Sequence, residues 1–356
     1  NKYEVYGLQR NPFPAIPIFS SIAPNVNFFC DDTFRGEYEV LRGAIDNAIG
    51  YRHPVVIFLE GERGVGKSHF LGNLAYRYVK DSQIYPIFCQ VQTSGGFSDL
   101  ADRTLQWLGA EEYADLMLSF VEALGVSEAE VFRRDPFFIF QEIVSKVEET
   151  FGFDRKVLER IFKAFSNVDI GYCSLFTTSP KYKILVLVTL NRLVKKVLGK
   201  KLLLVIDNLE NRWMHFTSLN KDLFYYNLEK FLKLTKGNTL LIFSATPALY
   251  EDLSSFLEGS MKKLTLLRFG LRRPTAKAFL NLASSYLARF RRTPTLRARQ
   301  YSPFTLRSIS YVSKISAGNT RSFLQMCYDL LEECATLRRP RVDVTLVKRV
   351  TKARSS

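Results

Sequence analysis

The chain has 356 residues, 47% of them hydrophobic, with 50 basic and 35 acidic side chains for a formal charge of +15. That length suits about two domains of 100–200 residues, and no apolar run approaches the roughly 18 residues that span a bilayer. The opening Asn1-Lys2-Tyr3-Glu4-Val5 lacks the apolar core of a secretory signal, and five scattered cysteines and three histidines argue against a disulfide framework or a zinc site. A cytoplasmic location is expected, or a nuclear or nucleoid-associated one, with no membrane partner.

In chain order, residues 1–30 are rich in aromatics and proline and read as an extended arm rather than a helix. Thr33–Ala48 carries Phe34, Tyr38, Leu41, Ala44, Ile45 and Ala48 at helical spacing. Pro54–Glu60 is a short continuous apolar run, the pattern of a strand buried on both faces. A helix over Ser68–Val79 and a strand over Tyr85–Val91 follow. From about Phe97 to Gly199 the periodicity is helical throughout, as for several helices inserted between strands. Lys201–Ile206, Asn238–Ser244 and Lys263–Arg268 read as three more strands, with helices over Leu219–Leu234 and Pro247–Phe256 between them. Strands alternating with helices predict an α/β fold, a doubly wound parallel five-stranded sheet over residues 31–270. Beyond Leu271 three helices are expected, Ala276–Phe290, Pro303–Ser313 and Thr320–Leu337, forming a small all-α domain over residues 271–356.

The densest chemistry lies after the first strand. Gly61-Glu62-Arg63-Gly64-Val65-Gly66-Lys67-Ser68 satisfies G-x-x-x-x-G-K-[ST] completely, between a buried strand and a helix. Glycines let the backbone curl so that its N–H groups converge on phosphate oxygens, and the following helix adds the positive end of its dipole. These residues, with the adjoining His69, are the expected nucleotide contacts. Lys67 supplies a point charge to the β- and γ-phosphates, and the Ser68 hydroxyl is a ligand for Mg²⁺. Leu202–Asp207 is an apolar strand ending in an acid, which suits a carboxylate that holds magnesium-bound water. Hydrolysis needs a further group to orient water. The residue after Asp207 is Asn208, which can hydrogen-bond water but cannot take its proton; the nearest acid is Glu210. Nucleotide binding with slow turnover is therefore expected. The absence of an Asn-Lys-x-Asp signal favours ATP over GTP.

With these motifs in place the sequence resembles the AAA+ ATPases, and within them the origin-recognition/Cdc6, TnsC/TniB and ExeA-like group. Tyr6-Gly7-Leu8-Gln9-Arg10-Asn11-Pro12-Phe13 resembles the lead-in of ExeA-like chains. Leu240–Leu249 resembles the group's fourth strand, which closes on a polar "sensor 1"; Thr246 is the first choice for that role and Ser244 the second. Ala317-Gly318-Asn319-Thr320-Arg321 resembles the start of the last lid helix, with Arg321 where a "sensor 2" arginine would touch the γ-phosphate. The resemblance implies a homo-oligomer or an assembly with related AAA+ subunits, nucleotide at the subunit borders, and a basic lid over residues 271–356. Two departures imply modest hydrolysis. Asn208 replaces a tandem glutamate. The stretch where a trans-acting arginine finger belongs is Ser260-Met261-Lys262-Lys263, leaving Arg268 or Arg272 as substitutes. The insertion is longer than usual, and no winged-helix domain is expected, so any DNA contact falls to the ATPase and lid.

Charge points to the partner. Lys262–Ser356 holds 21 basic and 4 acidic side chains, a local +17, while the other 261 residues hold 29 basic and 31 acidic. Such asymmetry fits an acidic polymer, DNA first and RNA second. Arg289, Arg291, Arg292, Arg297 and Arg299 form the densest run, and Arg338, Arg339 and Arg341 a second; without a base-reading motif they predict salt-sensitive, sequence-independent phosphate contacts. The sequence thus reads as an ATP-dependent switch assembling on DNA. The alternatives are a nucleotide-stabilised structural protein of a ribonucleoprotein, or a signalling or defence ATPase with a protein partner. Tyr225, Tyr226 and Phe231 are expected in the core or at a subunit interface.

Overall fold

The computed structural model describes residues 2–15, 34–91, 96–97, 100–101, 104, 122, 125, 144–149, 155–156, 180–292 and 300–355. Most of the expected insertion, the arm beyond Ala15, Arg297 and Arg299 lie outside the described residues. The named elements run α1 Arg35–Ala48, β1 Val55–Glu60, α2 Lys67–Tyr78, β2 Ile84–Gln90, α3 Pro180–Val197 and β3 Lys201–Asp207. Next come α4 Leu209–Trp213, α5 Ser218–Thr235, β4 Thr239–Ala245, α6 Pro247–Ser260 and β5 Thr265–Gly270. The chain closes with α7 Ala276–Arg289, α8 Leu306–Ile315, α9 Thr320–Thr336 and α10 Val344–Ser355. They belong to two compact units, one made of Leu41–Glu60 and Leu71–Phe269, the other of Asn1–Val40, Gly61–Phe70 and Gly270–Ser356.

The first unit is built on one parallel sheet in the order β2-β3-β4-β1-β5. All five strands expected from the apolar runs are present, with ends shifted by one or two residues. β3 and β4 are buried at every position and β1 from Val55 to Leu59, because helices cover both faces of a parallel sheet and neither face can be polar. β5 is one of the two edge strands and is half-exposed, which lets it carry Arg268. The register pairs Glu60 with Ala245 and Gln90 with Asp207, so the polar residues that end these strands gather at one edge of the sheet. Beneath them Phe58 stacks on Phe243 with ring centroids 5.7 Å apart, and Phe97, Trp213, Phe224 and Phe231 form a second aromatic cluster. Phe231 is thus core, Tyr225 stacks on Phe256, and Tyr226 is exposed.

The second unit has its own core, built from α7 to α10 and the arm. Side chains cap the first turns: Thr275 for α7, Thr305 for α8, Asn319 for α9, with Asp343 accepting the Leu346 N–H in α10. Three helices were expected here, and four are found among the described residues. The fourth, α10, buries Leu346 and Val347, with Val350 packed against the same core one turn later, yet its valines and threonines weaken the helical signal that its basic residues would otherwise carry. The arm also departs from a plain extended strand. It opens with a 3₁₀ turn at Glu4–Tyr6 that Gly7 ends at φ 67°, then pairs with the end of α7. Gln9 N–H donates to Phe290 O (2.9 Å) and Arg292 N–H to Gly7 O (3.0 Å). Tyr6, Leu8 and Phe13 are buried, and Phe13 sits between Tyr286 and Phe304. Burying such a ring contributes about 2–3 kcal/mol, enough to hold a short segment that forms no helix of its own.

Candidate nucleotide-binding site

The loop between β1 and α2 has the conformation its glycines permit. Gly64 and Gly66 lie at φ 85° and 119°, values that side-chain-bearing residues rarely adopt. A Cβ at Gly61 would lie 3.0 Å from Val65 Cγ1 and 3.3 Å from Leu271 O, closer than side chains ordinarily pack. Inside it the Lys67 ammonium, 6% exposed, donates to Gly61 O (2.7 Å) and Glu62 O (3.4 Å). The loop opens into α2, whose first turn holds Lys67, Ser68 and His69. Curled N–H groups, an enclosed ammonium and a helix N-terminus form a donor set suited to a polyphosphate. Desolvation, helped by the charge of Arg321, holds the His69 imidazole down to about 4, so the ring is neutral at pH 7 and adds no positive charge to the loop.

At the sheet's carboxyl edge Asp207 is 1% exposed and accepts from Gln90 Nε2 (3.2 Å). Its carboxylate oxygens, like the Ser68 hydroxyl, are the hard ligands magnesium prefers. Directly after it Asn208 takes the left-handed conformation at φ 68° and donates its N–H to Ser244 Oγ (2.9 Å). The same hydroxyl donates to Glu210 Oε2 (2.7 Å). Ser244, fully buried at the end of β4, therefore ties together Asn208 and Glu210, the first and third residues after Asp207. Thr246 is differently engaged: its hydroxyl caps α6 by accepting from Leu249 N. Of the finger substitutes, Arg268 pairs with Glu60 (2.8 Å) and lies over the Tyr250 ring, while Arg272 is exposed.

In the second unit, Arg321 begins α9 and its backbone N–H donates to Gly64 O (3.2 Å). Two contributors escaped the sequence reading. Gln90 and Arg273 belong to no motif, and each finds its partner across a long stretch of chain. Asn319 and Thr320 stand in the motif before Arg321, but nothing in sequence gave them a partner in the loop.

The basic residues divide by environment. Arg291 turns inward: its guanidinium donates to Gln300 O and Ser302 O (3.3 and 2.7 Å), and burial lowers its pKa. Arg292 pairs with Glu4 (2.5 Å), and Arg339 lies 3.9 Å from Asp343. Arg289, Arg338 and Arg341 are exposed, and among the described residues Arg338 and Arg341 have no ion-pair partner. No helix among the described residues is long and apolar enough to cross a membrane.

No protein-family model matches the sequence, and no curated protein matches it. Solved structures do share its fold. The ORC1 protein of Aeropyrum pernix, in complex with DNA, is 14% identical with a TM-score of 0.51, the match covering 94% of this chain and 71% of that one. The ORC2 protein of Aeropyrum pernix, in ADPNP–ADP complexes, is 10% identical with a TM-score of 0.50, over 93% of this chain and 70% of that one. The chain therefore shares the fold of these origin-recognition proteins.

Proposed function

We propose that this protein binds ATP with magnesium on Gly61–Ser68, hydrolyses it slowly, and uses it as a switch for assembly on DNA. The observation that carries the reading is the loop itself: a complete phosphate motif with Gly64 and Gly66 at positive φ and Lys67 enclosed. The loop N–H groups and Lys67 bind the phosphates, and Ser68 and Asp207 would hold the magnesium ion. Bound there, the ion neutralises phosphate charge that develops during transfer. Glu210 orients water and accepts its proton, Ser244 sets the direction of that carboxylate, and Arg321 is the lid arginine for the γ-phosphate. Asn208 in place of a tandem acid, and Arg268 already paired with Glu60, favour slow turnover. We assign residues 1–30 as arm, 31–270 as ATPase domain and 271–356 as basic lid, with nucleotide shared at the borders of like subunits. The DNA reading rests on the excess charge after Lys262 and on the likeness to a fold that has been solved with DNA.

Two titrations test it. Fluorescent ATP with magnesium should bind the full chain, and Lys67→Ala should weaken uptake at least a hundredfold, because it removes the full positive charge enclosed in the loop. Generic duplex DNA should bind more tightly with ATP than without. Uptake unaffected by Lys67→Ala removes the nucleotide reading; no DNA binding at low salt, or a preference for structured RNA, removes the DNA reading.

A further inference from the structure

The outer rim of the phosphate loop is bonded residue by residue to the helical unit. Arg273 pairs with Glu62 through Nε (2.9 Å) and Nη2 (2.5 Å), and its Nη1 donates to Ala317 O (3.4 Å). Asn319 Nδ2 donates to Arg63 O (3.1 Å), Arg321 N–H to Gly64 O (3.2 Å), and Thr320 Oγ1 to Val65 O (2.8 Å). Four successive loop residues thus have a partner, three of them through the main-chain carbonyl. The fit is close: a Cβ at Gly64 would lie 2.4 Å from Asn319 Oδ1, and one at Gly66 would lie 3.3 Å from the Phe34 ring.

Peptide geometry gives these contacts a consequence. Where a backbone curls so that its N–H groups converge, carbonyls along the curl are turned outward, here those of Arg63, Gly64 and Val65. Donors placed on those carbonyls hold the curl without occupying the inner face. A loop held in its binding conformation loses less conformational freedom when a ligand arrives, and affinity rises accordingly. We propose that Asn319 and Thr320 are positioning residues that brace the phosphate loop from its outer side, and that the first turn of α9 and the loop respond to nucleotide as one body. This rests on the loop being the nucleotide site.

Asn319 allows the brace to be separated from simple helix capping. Its Oδ1 accepts from Ser322 N–H (2.9 Å) and caps α9, while its Nδ2 reaches the loop. Asn319→Asp keeps the capping oxygen and removes the loop donor; Thr320→Val keeps shape and removes the hydroxyl. Fluorescent ADP with magnesium would be titrated into the full chain and into both single variants and the double. Each single change should weaken binding about fivefold and the double more than tenfold, as expected for neutral hydrogen bonds. Nucleotide should also slow hydrogen exchange at residues 319–324 in the wild type and fail to do so in the double variant, a response that capping alone would not alter. Double-variant affinity within twofold of wild type, while Lys67→Ala still abolishes uptake, overturns the brace and leaves the nucleotide reading standing. Absence of uptake by the wild type overturns both.

Discussion

Asn208 occupies a conformation that costs most residues about 1–2 kcal/mol, and asparagine is among the few that enter it readily. The turn it makes after Asp207 places Glu210 at the start of α4, where Ser244 can bond both residues. In sequence Asn208 stands where a tandem glutamate is usual and can hydrogen-bond water; in the structure it is also the bend that presents the next acid. The roles of Ser244 and Thr246 separate at the same scale, since the Thr246 hydroxyl is spent on the α6 cap. If Ser244 sets the direction of Glu210, Ser244→Ala should lower kcat for ATP about tenfold with little change in nucleotide affinity. Ser244→Thr should recover most of the loss, and Glu210→Gln should add little in the Ser244→Ala background. Steady-state assays with a parallel binding titration read all three; an unchanged kcat in Ser244→Ala would remove the serine from the site.

Among the elements, the sheet was the most legible part. Its strands are continuous runs of Val, Ile, Leu and Phe bounded by turn residues, and burial on both faces demands that composition. The helices of the second unit were legible where threonine or asparagine caps them and poorly so at α10. The arm shows what local reading misses. Nothing near Phe13 in sequence indicates that it packs between Tyr286 and Phe304, or that Lys2, Tyr3 and Asn11 all donate to the carboxylate of Glu332. The arm is consequently part of the helical core. Phe13→Ala should cost about 3–4 kcal/mol through lost burial and a cavity, read as faster hydrogen exchange throughout α7 and α8. Exchange confined to the arm itself would show that the helices do not depend on it.

For the molecule as a whole, charge asymmetry is the main clue to a partner, and folding sorts the charges. Arg268, Arg273, Arg292 and Arg349 have carboxylate partners, and Arg291 is clasped by backbone carbonyls. Exposed ion pairs of this kind contribute little to stability, yet they lower the field available to an external phosphate. Arg338 and Arg341 remain exposed at the turn between α9 and α10. Replacing both by alanine should weaken duplex binding equally across sequences and lower the salt slope by about one to two, whereas Arg268→Ala should leave that slope unchanged. Anisotropy over a salt series measures this; an unchanged slope in the double variant would place the DNA contact elsewhere.

Local rules were sufficient for the parallel sheet, the curl of the glycine loop and the excess of positive charge, because each is written in neighbouring residues: apolar runs, glycine spacing, and arginines crowded into one quarter of the chain. Which hydroxyl faces Glu210, which arginines stay exposed, and what grips the outer rim of the loop were settled only by folding. Those answers depend on pairs such as Ser244–Glu210, Arg273–Glu62 and Asn319–Arg63, whose members are separated by tens to hundreds of residues and meet only when the chain packs. Short-range periodicity carries no record of such meetings.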